Sequence, residues 1–288
     1  NENRSGPTVE GEMTPTAPMA AMFGYGGDQQ MHHTKGRRRE LANNCRAKKI
    51  PLITFDGGLL SSFGNISTSP DHHFRVSLYT PMNDGNFLSD NSPNDRWEML
   101  VKKFDVKYEP WRKSNQDDPI IFVMQPKDNW SMNELDPIDW FNGVYEKLRP
   151  ATDRKFIVRP HPNNVSNILE RENELPDDVE IQYTQKHFKG DEKKYYRFHF
   201  QEAIANAHAV VTHNSTASVD SCIRGIPTFC TSDLALCWDV CNKDLNDIET
   251  PKTPDRTQWV NDLGYKLWSI QEIKDGTVYK RFKERLGL

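Results

Sequence analysis

The feature that most constrains this chain is a unit that recurs along it. An apolar run of about four to six residues stops at residues able to bind or react. Ile50 to Phe55 (IPLITF) stops at Asp56-Gly57-Gly58, and Pro119 to Met124 (PIIFVM) stops at Gln125-Pro126-Lys127-Asp128. Lys155 to Val158 stops at Arg159-Pro160-His161-Pro162, and Ala209 to Thr212 at His213-Asn214-Ser215-Thr216. Runs this short, bounded by turn residues, read as buried strands rather than helices. Strands alternating with helical stretches define an α/β fold. In open α/β sheets ligands bind outside the carboxyl ends of the strands, which makes these four loops the candidate site.

The helices between the runs carry their own signals. Pro18 to Gly24 reads as a strand, Arg37 to Lys48 as a basic helical stretch, and Phe74 to Tyr79 as a third, alternating strand. Ser92-Pro93-Asn94-Asp95 predicts a helix capped by Ser92, with proline at its first position. Asp136-Pro137 caps a helix whose apolar face is Ile138, Phe141, Tyr145 and Leu148. Gly225 and Pro227 stop the helix that follows His213 to Thr216. Thr253-Pro254-Asp255 opens a helix that buries Trp259, Leu263 and Leu267, and Ser269 with Glu272 forms a capping box for the last one. Lys113 to Asp118 (KSNQDD) is polar and reads as a flexible linker. The expected organisation is two Rossmann-like domains facing a cleft, 1–112 and 113–250, with helices of 251–288 crossing back.

Composition narrows the class. The 288 residues carry 37 Lys+Arg against 41 Asp+Glu, a net charge of −4, and 36% are apolar. That balance excludes disordered and fibrous classes. The longest apolar run is about five residues, against ~20 for a membrane helix, so no integral membrane segment is expected. No order of charged, apolar and small residues resembling a signal peptide follows Asn1. The cysteines (45, 222, 230, 237 and 241) therefore read as reduced thiols of a cytoplasmic protein. Cys237 and Cys241, at i,i+4, would make half a zinc site. No CxxC or nearby HxxxH completes four ligands, so no metal is expected. The side chains of His32-His33 and His72-His73 diverge.

Each strand-end loop admits a functional and a structural reading. Free N–H groups before a helix suit His213 to Thr216 to phosphate, with Asp220 placed to accept a ribose hydroxyl; a plain Ser/Thr N-cap is the competing reading. Arg159 and His161, held between prolines, suit negative charge on a leaving group; a solvent-exposed turn histidine is the alternative. Asp56, followed by Gly57 and Gly58, suits a general base approached closely by substrate, or else an Asx turn. Lys35 to Lys49 holds seven Lys/Arg, among them Lys35, Arg37, Arg38 and Arg39, and one acidic residue, Glu40. A solvated helix face is the default for it, a phosphate-tracking patch the alternative. Neither GxSxG nor GxxxxGK[ST] occurs, and Gly24-Tyr25-Gly26-Gly27 only partly imitates a dinucleotide turn.

Taken in order, these motifs resemble the Kdo transferases of bacterial capsular-polysaccharide synthesis, over roughly residues 18 to 275. Phe55 to Gly64 resembles the family's acidic-Asp-Gly segment, Phe74 to Phe87 its next strand and Asp/Gly turn, and Ser92 to Leu100 its capped helix. Met124 to Ser131 resembles the Gln-containing loop. Val158 to Pro162 resembles the basic-Pro-His-Pro motif, about 100 residues after Asp-Gly. Val211 to Asp220 resembles the Ser-led phosphate loop, with Asp220 where the family usually has Glu. Asp255 to Trp259 resembles the ending of the shorter members. Phe55 replaces the family's first acidic residue, and Thr231 to Asp239 replaces its aromatic-rich loop.

The resemblance implies a GT-B-like fold and an inverting, metal-independent transfer from a nucleotide-sugar, with no cofactor. In the family the donor is CMP-linked; here a CMP- or a UDP-linked donor is expected. It makes Asp56 the base and His161 a contact of the donor phosphate, with Gln125, Lys127, Arg159, Asn214, Ser215, Thr216 and Asp220 on the donor side. Gly57, Gly58, Lys35, Arg37, Arg38 and Arg39 fall on the acceptor side. The acceptor is a glycan hydroxyl or, as in phage relatives, a hydroxymethylated base in DNA. A non-catalytic nucleotide- or sugar-binding protein of the same fold is the third expectation.

Overall fold

The computed structural model describes residues 19–24, 37–59, 72–183 and 200–287. Its strands are β1 (Ala20–Phe23), β2 (Leu52–Asp56), β3 (His73–Leu78), β4 (Ile120–Val123), β5 (Phe156–Arg159), β6 (Val179–Ile181), β7 (Ala209–Thr212), β8 (Thr228–Cys230) and β9 (Leu267–Ser269). The helices used below are α1 (Arg37–Ala47), α2 (Asp95–Phe104), α3 (Pro137–Leu148), α4 (Val165–Glu170), α5 (Ala217–Ile223), α6 (Thr257–Gly264), α7 (Ile270–Lys274) and α8 (Thr277–Leu286).

The C-terminal sheet has the order β6-β5-β4-β7-β8, and every pairing in it is parallel. Its strands are buried on both faces, which is why they read as unbroken apolar runs. Phe122, Phe156, Val158, Val211 and Phe229 pack on Ile138, Phe141 and Leu148 of α3, while Ile121, Ile157 and Val210 face Phe200, Ile204 and Ile226. The chain runs outward from β4 to β6, returns to β7 on the other side of β4 and continues to β8. The order therefore reverses between β4 and β7, where an open sheet leaves a crevice.

The N-terminal sheet has the order β1-β2-β3-β9, and only β1 and β2 run parallel. One face packs on Val278 and Phe282 of α8, and Leu52 and Met22 pack on Ala42 and Cys45 of α1. Residues 267–286 thus lie against this sheet and contribute an edge strand to it. A third core joins the halves: Trp97 and Leu100 of α2, Trp259 and Leu263 of α6, and Cys222 and Ile223 of α5 share one cluster with Leu236 and Val240.

Several local expectations change. Ser92 is not the cap of α2. Its hydroxyl donates to Ser89 O, and the helix begins at Asp95 behind Asn94. Leu267 is buried in β9 rather than on the preceding helix. The short strands β6, β8 and β9 carried no apolar run long enough to announce them. Lys113 to Asp118 is pinned rather than loose: Arg112 pairs with Asp118 at 2.8 Å, and Arg154 donates to Asn115 O, Gln116 O and Asp118 O. By contrast, Asp136 caps α3 by accepting from Ile138 N, and the Ser269–Glu272 box is formed. Gly225 ends α5 at φ +72°, and a Cβ there would lie 1.9 Å from Pro110 O. Both conditions require glycine.

Candidate functional site

The loops after β4 and β7, on either side of the order reversal, are tied by one buried network. The amide of Gln125 donates to Ser131 Oγ and to Asn214 Oδ1, each at 2.8 Å, and Gln125 Oε1 accepts from Asn214 N at 3.0 Å. Asn214 Nδ2 in turn donates to Ser131 O at 2.9 Å and Ser232 Oγ at 3.3 Å. Gln125 and Asn214 are 6% and 2% exposed. The structure therefore brings these two together, and their amides set the spacing of the loops. Among the described contacts, both amide hydrogens of each are already engaged.

What those loops present is Ser215, Thr216 and His213, all partly exposed. Ser215 Oγ accepts from Ala217 N, a cap-type contact at the start of α5. His213 Nδ1 lies 2.8 Å from Thr231 Oγ1, which also accepts from Trp140 Nε1 at 2.8 Å. Burial lowers the pKa of His213, so the ring is neutral at pH 7. Asp220 is buried one turn into α5.

Beside this pair of loops, β5 ends in Arg159, and the turn continues through His161. Arg159 is 9% exposed and donates from Nη1 to Gln182 Oε1 at 2.8 Å. Burial pushes the pKa of His161 down to about 4, so it too is a neutral imidazole at pH 7. Such a ring offers one N–H donor, and it gains a proton when an anion arrives. Lys127 is half-exposed, 3.9 Å from Asp136.

On the other sheet Asp56 is the last residue of β2. Its Oδ1 accepts from Gly57 N at 2.6 Å and lies 3.6 Å from the Arg75 guanidinium. Arg75 sits opposite Asp56 in the β2–β3 register, is 7% exposed, and also donates to Gly57 O and Pro81 O. Among the described residues both of these contacts of Asp56 use Oδ1. A Cβ on Gly57 would meet nothing within 4 Å, so open space adjoins it. Gly58 follows, partly exposed.

The basic stretch is only partly a free surface. Arg39 reaches across to the other half, donating to Trp130 O at 2.6 Å with its guanidinium 5.9 Å above the Trp130 ring. Arg46 stacks on Tyr79 at 5.3 Å and approaches Asp84. Arg38 is partly exposed on α1. Arg37 opens the helix, and Lys35 lies outside the described residues, as do Gly26, Gly27 and Leu60 to Gly64. No helix among the described residues is long and apolar enough to cross a membrane.

Sequence reasoning missed Arg75, Thr231, Ser232 and Gln182. Arg75 lies inside an alternating strand, where a charge reads as solvent-facing. Ser131 was visible only as part of the Gln125 loop.

No protein-family model and no curated protein sequence matches the chain. Solved structures do. The chain is similar to Thermosulfurimonas dismutans KpsC, beta Kdo 2,4 transferase, at 13% identity and a TM-score of 0.54, covering 90% of this chain and 86% of that one. It is also similar to the beta Kdo 2,7 transferase of the same KpsC, at 12% identity and a TM-score of 0.46, covering 91% and 99%. A third likeness is to Methanocaldococcus jannaschii UDP-GlcNAc 2-epimerase in complex with UDP-GlcNAc and UDP, at 14% identity and a TM-score of 0.37, covering 83% and 72%. The first likeness, with the two-sheet architecture described above, establishes the fold: α/β and GT-B-like.

Proposed function

We propose that the chain is an inverting, metal-independent glycosyltransferase that moves a sugar from a nucleotide-sugar to a glycan hydroxyl in surface-polysaccharide synthesis. The observation that carries this reading is the Gln125–Asn214 bridge at the order reversal of the parallel sheet. It holds Ser215 and Thr216 on one side, with Arg159 and His161 at the end of the neighbouring strand. That is where an α/β sheet takes a nucleotide, and the donor set suits phosphate. The likeness to a Kdo transferase fold supports it as well.

In this reading Gln125 and Asn214 position the loops, Ser215 and Thr216 donate to the nucleotide phosphate, and Asp220 and Lys127 stand beside the nucleotide. Asp56 Oδ2 takes the proton of the acceptor hydroxyl as its oxygen attacks the anomeric carbon. The bond from that carbon to the phosphate oxygen breaks on the opposite face, and Arg159 and His161 receive the developing negative charge. Arg75 and Gly57 N–H hold the other carboxylate oxygen, so that a single oxygen faces the acceptor.

An acceptor in DNA is the second reading, and the exposed Lys48 and Lys49 at the end of α1 favour it. Arg39 and Arg46, turned onto Trp130 and Tyr79, favour the glycan. Binding that falls steeply with salt would select DNA. A non-catalytic sugar- or nucleotide-binder is separated by Asp56→Asn, which would leave its cellular role intact.

The testing experiment is thermal unfolding against CMP, UDP, GDP and their common sugars. A nucleotide at ~100 times its Kd adds about 2.7 kcal/mol, a rise of several degrees in Tm. A rise with CMP compounds alone favours a Kdo-like donor, and a rise with UDP compounds alone a changed donor. No rise with any nucleotide, with or without an added glycan acceptor, would overturn the transferase reading.

A further inference from the structure

Residues 230–242 leave the end of β8, turn, and return beside it. Cys230 N donates to Asn242 O at 3.1 Å and Asn242 N to Thr228 O at 2.7 Å, which closes the neck of the loop. Inside it, one helical turn carries Cys237 and Cys241, with Cys241 N donating to Cys237 O at 2.9 Å. That turn points both sulfurs the same way, toward Cys230 at the neck. The Sγ atoms of Cys230 and Cys237 are 3.6 Å apart, and all three sulfurs lie within 4.8 Å of one another.

This spacing is a chemical statement. A metal held by thiolates at Zn–S ~2.3 Å separates its sulfurs by about 3.8 Å in tetrahedral and about 4.0 Å in trigonal geometry. A disulfide would need ~2.05 Å. The sequence spacing gave no zinc pattern because the third ligand comes from β8, seven residues before the helical turn.

We infer that Cys230, Cys237 and Cys241 bind one thiophilic d10 metal ion of the zinc class, as a staple for the 230–242 loop. Binding releases three protons from three thiols, and the divalent complex carries one net negative charge. Lys243, stacked 4.7 Å above the Trp238 ring, acts on Cys241 and supplies compensating positive charge. With three sulfurs and no nitrogen or carboxylate ligand in the cluster, soft ions are selected over magnesium or calcium. Cys241, the partly exposed member, marks the way in.

The staple matters because of what the loop holds. Thr231, next to Cys230, bonds His213 and Trp140, and Ser232 accepts from Asn214. At the far side, Asp233 O and Leu234 O accept from Asn83 of the N-terminal half. One ion would therefore brace both the candidate donor loop and its junction with the other half. The site does not depend on the transferase reading, since its test reads metal alone.

Reduced, chelator-stripped protein is titrated with Cd2+, followed by its thiolate charge-transfer absorbance. The Zn2+-loaded protein is measured by X-ray absorption. The expected results are saturation at about one ion per chain and three sulfur neighbours at about 2.3 Å. Cys241→Ser should bind at least ~10-fold more weakly with unchanged circular dichroism, and Cys45→Ala as the wild type. If Cys241→Ser does not fold, the sulfur count of the wild-type protein decides. Fewer than three sulfurs, no saturable band, or a Cys230–Cys237 disulfide with no metal uptake after reduction overturns the inference.

Discussion

The carboxyl edges of the two sheets are held by different means. At the C-terminal sheet, Gln125, Ser131 and Asn214 hydrogen-bond one another across two loops, and no charge is spent in the network. At the N-terminal sheet, one buried guanidinium, Arg75, gathers Gly57 O, Pro81 O and the Asp56 carboxylate. The difference follows from strand direction. In an all-parallel sheet every strand ends at the same edge, so loops meet loops, and neutral amides can bridge them. Where β3 runs antiparallel to β2, a strand residue rather than a loop stands beside Asp56. A side chain from within a strand must reach several carbonyls at once, and a five-donor guanidinium does so. The C-terminal edge is thus a surface whose spacing is set by neutral groups, and the N-terminal edge a single carboxylate held by a cation.

The sharpest way to break this contrast is at the carboxylate. Asp56→Asn keeps the shape and the Gly57 contact while removing the base. Turnover should fall about 100- to 10,000-fold, with nucleotide-induced thermal shifts preserved. Steady-state kinetics beside thermal shift measures both; loss of nucleotide binding would instead place Asp56 on the donor side.

Next is the cation itself. Arg75→Met leaves two carbonyls, that of Pro81 buried, and a carboxylate without their donor and should cost about 3 kcal/mol, read from urea unfolding. Gln125→Ala probes the opposite edge. It removes three hydrogen bonds within a neutral network, so about 2 kcal/mol and a weakened nucleotide shift are expected. Equal losses in the two variants would deny that the edges differ.

Acid sharpens the comparison further. His161 is held at about 4 and His213 is lowered, both by burial, against an ordinary 6.5. Between about 6.5 and 4 the unfolded chain binds protons that the folded chain does not, so stability falls as pH drops through that window. Replacing His161 with Gln should flatten this limb, seen as a smaller loss of Tm between pH 6.5 and 4.5. The smallest effect concerns the contact between halves. Arg39→Ala should cost about 1 kcal/mol or less and barely change salt dependence, because this arginine is turned onto Trp130.

Much of the fold was legible from local pattern. The runs at Pro119, Lys155 and Ala209 are strands because buried parallel strands are apolar throughout, the run at Ile50 forms β2 of the mixed sheet, and Asp136, Ser269 and Gly225 act where capping rules place them. Ser92 shows the limit: a cap-like residue was diverted to Ser89 O, with Asp262 accepting from its N–H. The strand-end loops were legible as loops at the carboxyl ends of strands, because turn residues follow each apolar run. The division of labour within them was not. Gln125 and Asn214 read as ligand groups in sequence, and only the structure shows that they are also each other's partners.

The chain's own order of residues determined most of the longer elements, their order, and the four strand-end loops, since periodicity and turn residues act over a few positions. Tertiary structure decided the rest. Gln125 meets Asn214 across 89 residues, Arg39 meets Trp130 across 91, β9 joins a sheet begun some 250 residues earlier, and Cys230 completes a thiol cluster from a different element. Each joins groups that only the packed sheets and the direction of their strands bring within bonding distance, and no local pattern encodes that.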